Sequence, residues 1–240
     1  MKLLAIETAT EACSAALYLD GEIALRYQVE PRGHSELILG MMDALLAEAG
    51  LIPRQLDAMA FGRGPGSFTG VRIATGVVQG AAFGADLPVV PVSTLAALAQ
   101  RGFREHGERR LLPAYDARMQ ELYWAAYEVG EQGLVERVES ERVALAQDIP
   151  LPAGCGWYGV GSGWAAYGDA LLTRLGAERV KGSDPAMLCS AYDVALLGAA
   201  GFSRGEAVAP HAALPIYLRD RVANKPGNNP HISPGGPSNI

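Results

Sequence analysis

LLAIETATEACSAALYLDGEIALRYQV, residues 3–29, holds three strands and the two turns that join them. Residues 3–7 form a short buried run that ends on Glu7, residues 14–19 (SAALYL) a second, and residues 22–29 (EIALRYQV) a third. Asp20-Gly21 between the last two is a two-residue hairpin signal, because both residue types tolerate positive φ. The same opening recurs downstream. RLLPAYD (110–116) is a strand ending on an acid, Asp116, LYWAAYEV (122–129) is a second, and LVERVESERV (134–143) follows a glycine-bearing turn as a third. The two copies share little identity, so the parallel rests on the order of elements.

Between the openings the chain alternates helix and strand. A helix runs from about His34 to Ala49 and stops at Gly50, and a strand covers 56–62. The loop GRGPGSFTG (62–70) leads into a helix over about 69–84, then the strand LPVVPV (87–92) and the helix start STLAALAQR (93–101), capped by Ser93 or Thr94. A strand at 157–161, helices near 164–174 and 190–204, and a run containing LPIYLRD complete the predicted core. This is an α/β chain with an expected lobe at 1–105 and a smaller one at 106–223. The tail 224–240, rich in Gly, Pro, Asn and Ser and containing His231, is expected to be disordered because it has too little to bury.

Composition narrows the function. With 240 residues, 49% of them hydrophobic, the chain can build a core for two lobes. Its net charge is −6 and no Lys/Arg cluster forms a phosphate-binding stripe, so any RNA chemistry needs a more basic partner. Cys13, Cys155 and Cys189 are odd in number and form no CxxC pair, which suits a reducing cytosol and neither a disulfide framework nor a zinc site. Met1-Lys2 leads straight to Glu7 without an apolar signal core, and the greasy run 70–85 is interrupted by Arg72 and Gln79. A cytoplasmic protein without a membrane span is expected.

A βββαβα unit present twice, with an acid at the tip of each first strand, resembles the actin/hexokinase/Hsp70 (ASKHA) plan, in which two facing corners clasp nucleotide phosphates. That resemblance makes Glu7, Thr8 and Thr10 one candidate nucleotide corner, and Asp116 and Arg118 the other. Gly161 and Gly163 become candidate neighbours of an adenine. TATEACS has no glycine to let backbone approach a phosphate, and Glu7 stands where an aspartate would be expected. Thr8 and Thr10 equally serve to cap a tight turn, and the glycines of 159–163 equally serve a bend before a helix. The 62–70 loop is similarly open. Its glycines permit positive φ, Pro65 fixes a bend, and Ser67 or Thr69 can cap a helix whose free N–H groups form an anion site. A plain strand-to-helix turn needs the same residues, and neither the Walker lysine nor the Rossmann spacing is present.

The segments AIETATEACSAAL (5–17), HSELILGMMDALLAEAGL (34–51), DAMAFGRGPGSFTGVRIATGVVQGAAFG (57–84), LPVVPVSTLAALA (87–99), YDARMQELYWAAY (115–127) and LPIYLRDRVA (214–223) resemble the TsaB (YeaZ) family in matching order. Gly40 is a departure, standing where that family more often has proline. The resemblance implies a non-catalytic partner of TsaD in forming N6-threonylcarbamoyladenosine in tRNAs. It further implies a direct heterodimer with TsaD, TsaE as third partner, a homodimer when alone, and tRNA met only through the complex. No cofactor is implied beyond weak nucleotide binding in a vestigial cleft. TsaD holds its metal through two histidines four residues apart. The corresponding stretch here, 90–97, has none, and His34, His106, His211 and His231 are not spaced for a shared site. His34, beside Ser35 and Glu36, reads as a cap or rim contact. A small-molecule kinase or ATPase using Asp116 and the glycine loops is the alternative; a peptidase lacks a GxSxG or other nucleophile–base pattern.

Two helices point to a partner. The apolar residues of 34–49 span roughly 220° of the helix, where packing on one core needs somewhat over 100°. Helix 69–84 carries Gly76, Gly80 and Gly84 four residues apart, each unfavourable against alanine by roughly 0.8–1 kcal/mol. The expected interface comprises Leu37, Met41 and Leu45 on the first helix, and Arg72, Gly76, Gln79, Gly80 and Phe83 on the second.

Overall fold

The computed structural model describes residues 1–219. Strands β1 (Lys2–Glu7), β2 (Ala12–Leu19) and β3 (Glu22–Val29) lead into α1 (His34–Glu48), β4 (Ala58–Gly62), α2 (Phe68–Ala85), β5 (Val89–Val92) and α3 (Thr94–His106). The second half runs β6 (Arg110–Asp116), β7 (Glu121–Val129), β8 (Val135–Leu145), β9 (Trp157–Val160), α4 (Ser162–Leu175), β10 (Val180–Asp184) and α5 (Ala191–Ser203). The sheets have orders β3-β2-β1-β4-β5 and β8-β7-β6-β9-β10, the same topology twice. In each, the first strand pairs antiparallel with the second and parallel with the fourth. This is the duplicated actin-like plan. The reduction of the second copy has a location: between β8 and β9, where the first copy has α1, there is only a 3-10 turn at Ala146–Asp148.

Alternation along β1 explains the layering. Leu4 and Ile6 point to an outer core shared with α1 and α2, while Leu3 and Ala5 point to an inner core with α3 and α5. A strand covered on both faces has no need of alternating polar residues, hence the unbroken LLAI. In the inner core α5 packs on the first sheet and α3 on the second. The expected division at 105/106 therefore lies where α3 ends, and the two helices tie the sheets together across it. α3 and α5 are joined by a bidentate pair, Arg104 Nε and Nη2 lying 3.0 and 2.9 Å from the two oxygens of Asp193. A third core lies under α4 around Trp124, Trp157 and Trp164.

Local signals fall where the chemistry asks. Asp20 and Gly21 have φ of 48° and 106° at the β2–β3 turn. Ser67 and Ser93 cap α2 and α3, accepting from Gly70 N and Ala96 N. α3 continues past residue 101 to His106, where Gly107 ends it in the left-handed region. β10 was not expected from the sequence. The run LPIYLRD needs correction: residues 214–219 have no regular structure and leave Leu214, Ile216 and Tyr217 exposed. With Ile216 N bonded to Arg63 O they form a surface strap and not a core element. The expected disordered tail and His231 lie outside the described residues. Among the described residues, no helix is long and apolar enough to cross a membrane.

Candidate functional site

The first corner, between β1 and β2, is packed solid. Glu7 and Thr8 are wholly buried and Thr10 nearly so. Thr8 Oγ1 donates to Gly70 O at 2.7 Å, and Ser67 N donates to Ala9 O at 2.8 Å. His34 Nε2 lies 2.8 Å from Thr10 O, so this histidine fastens the start of α1 to the corner. A β-carbon at Gly62, Gly66 or Gly70 would lie 1.8 Å from Glu7 Oε2, 2.6 Å from Ala9 O or 2.0 Å from Thr8 O. Gly66 and Gly70 thus let the corner's backbone press against the start of α2, while Gly62, at the end of β4, leaves room for the Glu7 carboxyl. Only Gly64 uses positive φ, at 95°.

At the second corner Asp116 is half-buried and organises a turn. Its Oδ1 accepts from Arg118 N at 2.8 Å and Tyr167 OH at 3.1 Å, and its Oδ2 pairs with the Arg118 guanidinium at 3.1 Å. Ser162 Oγ accepts from Asp116 N at 3.2 Å. Arg118, Met119 and Gln120 all have left-handed backbone, with φ of 62°, 57° and 65°. Arg219 braces this turn by bonding Ala117 O and the Glu121 carboxylate. Gly161 and Gly163 serve close packing: a β-carbon there would lie 2.6 Å from Ala114 O or 2.7 Å from Ala114 Cβ. No hydrogen bond among the described residues joins Asp116 to Glu7, and none of them gather as three or more His, Cys, Asp or Glu around a metal position.

Glu7 has an unusual setting. Burial pushes its carboxyl up from the ordinary 4.5 to about 7, partly offset by hydrogen bonds from Ala9, Cys189, Thr8 and Thr94. Burial also holds Cys189 and Tyr115, both nearby, well above their usual ranges.

The expected interface lies on the outer face of α1 and α2. Leu37 and Met41, one turn apart, are half-buried, and the exposed Leu39 lies on the other flank of α1. Leu45 must be removed from the expected interface: at 1% exposure it belongs to the outer core with Ile38 and Met42, one turn away on the inner side. On α2, a β-carbon at Gly76, Gly80 or Gly84 would meet nothing within 4 Å, and Phe83 is 81% exposed. Gln79 Nε2 donates to Ala213 O at 3.0 Å. Arg72 lies 3.7 Å over the Phe68 ring and donates to Tyr217 OH at 2.9 Å. Phe68 and Tyr217 were missed by sequence reasoning. The signal was an aromatic residue opening α2 and another in a run taken for core.

The family model that matches is TsaD, tRNA N6-adenosine threonylcarbamoyltransferase, over residues 28–224. The tRNA threonylcarbamoyladenosine biosynthesis protein TsaB of Escherichia coli is 42% identical over 230 residues, covering 94% of this chain and 97% of its own. The protein of the same name from Haemophilus influenzae is 40% identical, covering 94% and 96%. The solved structure of YeaZ from Pseudomonas aeruginosa is 45% identical with a TM-score of 0.83, covering 90% of this chain and 99% of that one.

Proposed function

Because this chain belongs to the TsaB family of tRNA threonylcarbamoyladenosine biosynthesis proteins, we propose that it is a non-catalytic partner of TsaD. It docks through the outer face of α1 and α2 and supports transfer of the threonylcarbamoyl group to adenosine in tRNA, with TsaE joining through the complex and tRNA held by the more basic partners. The observation that carries the reading is the open strip on α2. Three glycines with free space above them and an 81% exposed Phe83 are costly on a solitary surface helix and useful where a second helix approaches. Leu37 and Met41 on one flank of α1 extend the apolar surface. The packing of the first corner supports the non-catalytic half of the proposal, since the Thr8–Ala9 backbone lies against the start of α2 where an anion would need to sit.

The test is to mix the purified chain with TsaD from the same organism, size the product, and assay ATP hydrolysis by the chain alone. A one-to-one complex and hydrolysis at background are expected. Hydrolysis that copurifies with the chain and vanishes in Asp116→Ala would replace this reading with a kinase-like one.

A further inference from the structure

Glu7 sits where the lobes meet. It ends β1, its Oε2 lies 3.5 Å from Cys189 Sγ at the approach to α5, and Thr94 at the start of α3 also hydrogen-bonds it. Ala9 N donates to its Oε1. The carboxyl occupies the space that a side chain on residue 62 would need, so β4 closes over it directly. From β2 the facing group is Ser14, its register partner, while Cys13 beside it points to the outer core and feels Glu7 only through its charge. From β6 it is Tyr115, whose hydroxyl is buried without a hydrogen-bond partner, and from the start of α5 Cys189 and, farther off, Asp193.

None of these groups is a cation. Among the described residues, no Lys, Arg or His forms an ion pair with Glu7. Arg101 of α3 is committed to Glu105 Oε1 at 2.8 Å, Leu188 O at 2.9 Å and Tyr27 OH at 3.2 Å, and Arg104 to Asp193. A carboxylate sealed from water without a counter-charge is expensive, and such a group keeps its proton instead. Cys189 and Tyr115 are themselves held well above their usual ranges by burial, so both stay uncharged and neither supplies a counter-charge. The Cys189 thiol only offsets part of the rise by donating to Glu7 Oε2.

We propose that Glu7 is carried as a neutral carboxylic acid that locks the joint between the two lobes, and that ionising it loosens that joint. This goes beyond the partner role and does not depend on it. The sign follows from the direction of the shift. The folded-state value, about 7, lies above the ordinary 4.5, so the stabilisation is complete below about 4.5, declines between the two values, and is gone above about 7. In that window the folding equilibrium constant falls by up to roughly tenfold per pH unit from this group alone.

The experiment compares urea midpoints of the wild type and Glu7→Gln from about pH 5 to about pH 8.5, with amide exchange at Ala9 and Cys189 followed in parallel and corrected for intrinsic base catalysis. The wild type is expected to lose stability relative to the variant as pH rises to 7, and the joint amides to lose protection in the wild type only. A gap between the two proteins that stays constant with pH, or joint amides that respond no more than those of the β2–β3 hairpin, would overturn the proposal. Should the variant fail to fold, the glutamate side-chain carboxyl carbons of the wild type are titrated by NMR. One midpoint near 7 that disappears from the spectrum when Glu7 is selectively left unlabelled supports the lock; all midpoints in the ordinary carboxylate range sink it.

Discussion

A methyl group added to Gly70 would lie 2.0 Å from the carbonyl oxygen of Thr8, whereas one added to Gly80 would meet nothing within 4 Å. The same substitution therefore has opposite consequences on one helix. Gly80→Ala should raise stability by up to about 1 kcal/mol, because alanine is the better helix former and the space is free. Gly70→Ala must push α2 away from the first corner against backbone that cannot yield, and should cost about 1–3 kcal/mol or more. Urea midpoints of the two variants test this; equal effects of the same sign would mean that the corner is not packed as described. The sequence could not separate these glycines. In GRGPGSFTG all look like conformational glycines, yet only Gly64 has positive φ, while Gly62, Gly66 and Gly70 answer to residues some sixty positions earlier in the chain. Spacing reports what a residue permits locally, and close approach is a long-range fact.

Among the elements, α3 and α5 depend on a pair that no pattern announces. The Asp193 carboxyl is wholly buried, and burial raises it above the usual carboxylate range despite the Arg104 guanidinium. Arg104→Met should cost about 3 kcal/mol at neutral pH by leaving that charge alone. Part of the loss should return on acidification, as Asp193 takes up a proton, and adding Asp193→Asn should recover most of it. A loss that persists unchanged at low pH and in the double variant would trace to packing of the arginine stem instead. The strands and helices with an apolar run or a cap were legible in the sequence: both βββ openings, α1, α2 and the Ser93 cap. β10 was not, because VKGSD has little to bury and holds its place by pairing with β9. The strap at 214–219 misled for the opposite reason. Its Leu, Ile and Tyr imply a core, yet they remain on the surface, and the run holds its place through Ile216 N on Arg63 O.

At the scale of the whole molecule, a chain of net charge −6 whose first corner is filled carries an open strip of glycines on the outer side of α2. Gly76 is the sharpest probe of it. The position is exposed, lies one turn from Arg72 and Gly80, and is on the opposite side from Val71, Ala74 and Val78, which are buried. In the isolated chain Gly76→Leu removes a poor helix former and clashes with nothing, so stability should hold or rise by up to about 0.8 kcal/mol. In a complex the same side chain adds four carbons where two helix backbones approach. Overpacking a tight contact costs about 1–3 kcal/mol, which weakens association by roughly tenfold to over a hundredfold. Thermal unfolding under dilute conditions and sedimentation with TsaD measure the two effects separately. Early unfolding would mean that the glycine supports the fold in a way the open space above it does not reveal. Normal folding with undiminished association would place the partner on another face. Normal folding with lost association is the expected outcome, and Gly80→Ala, a far smaller addition on the same strip, should then retain most of the binding.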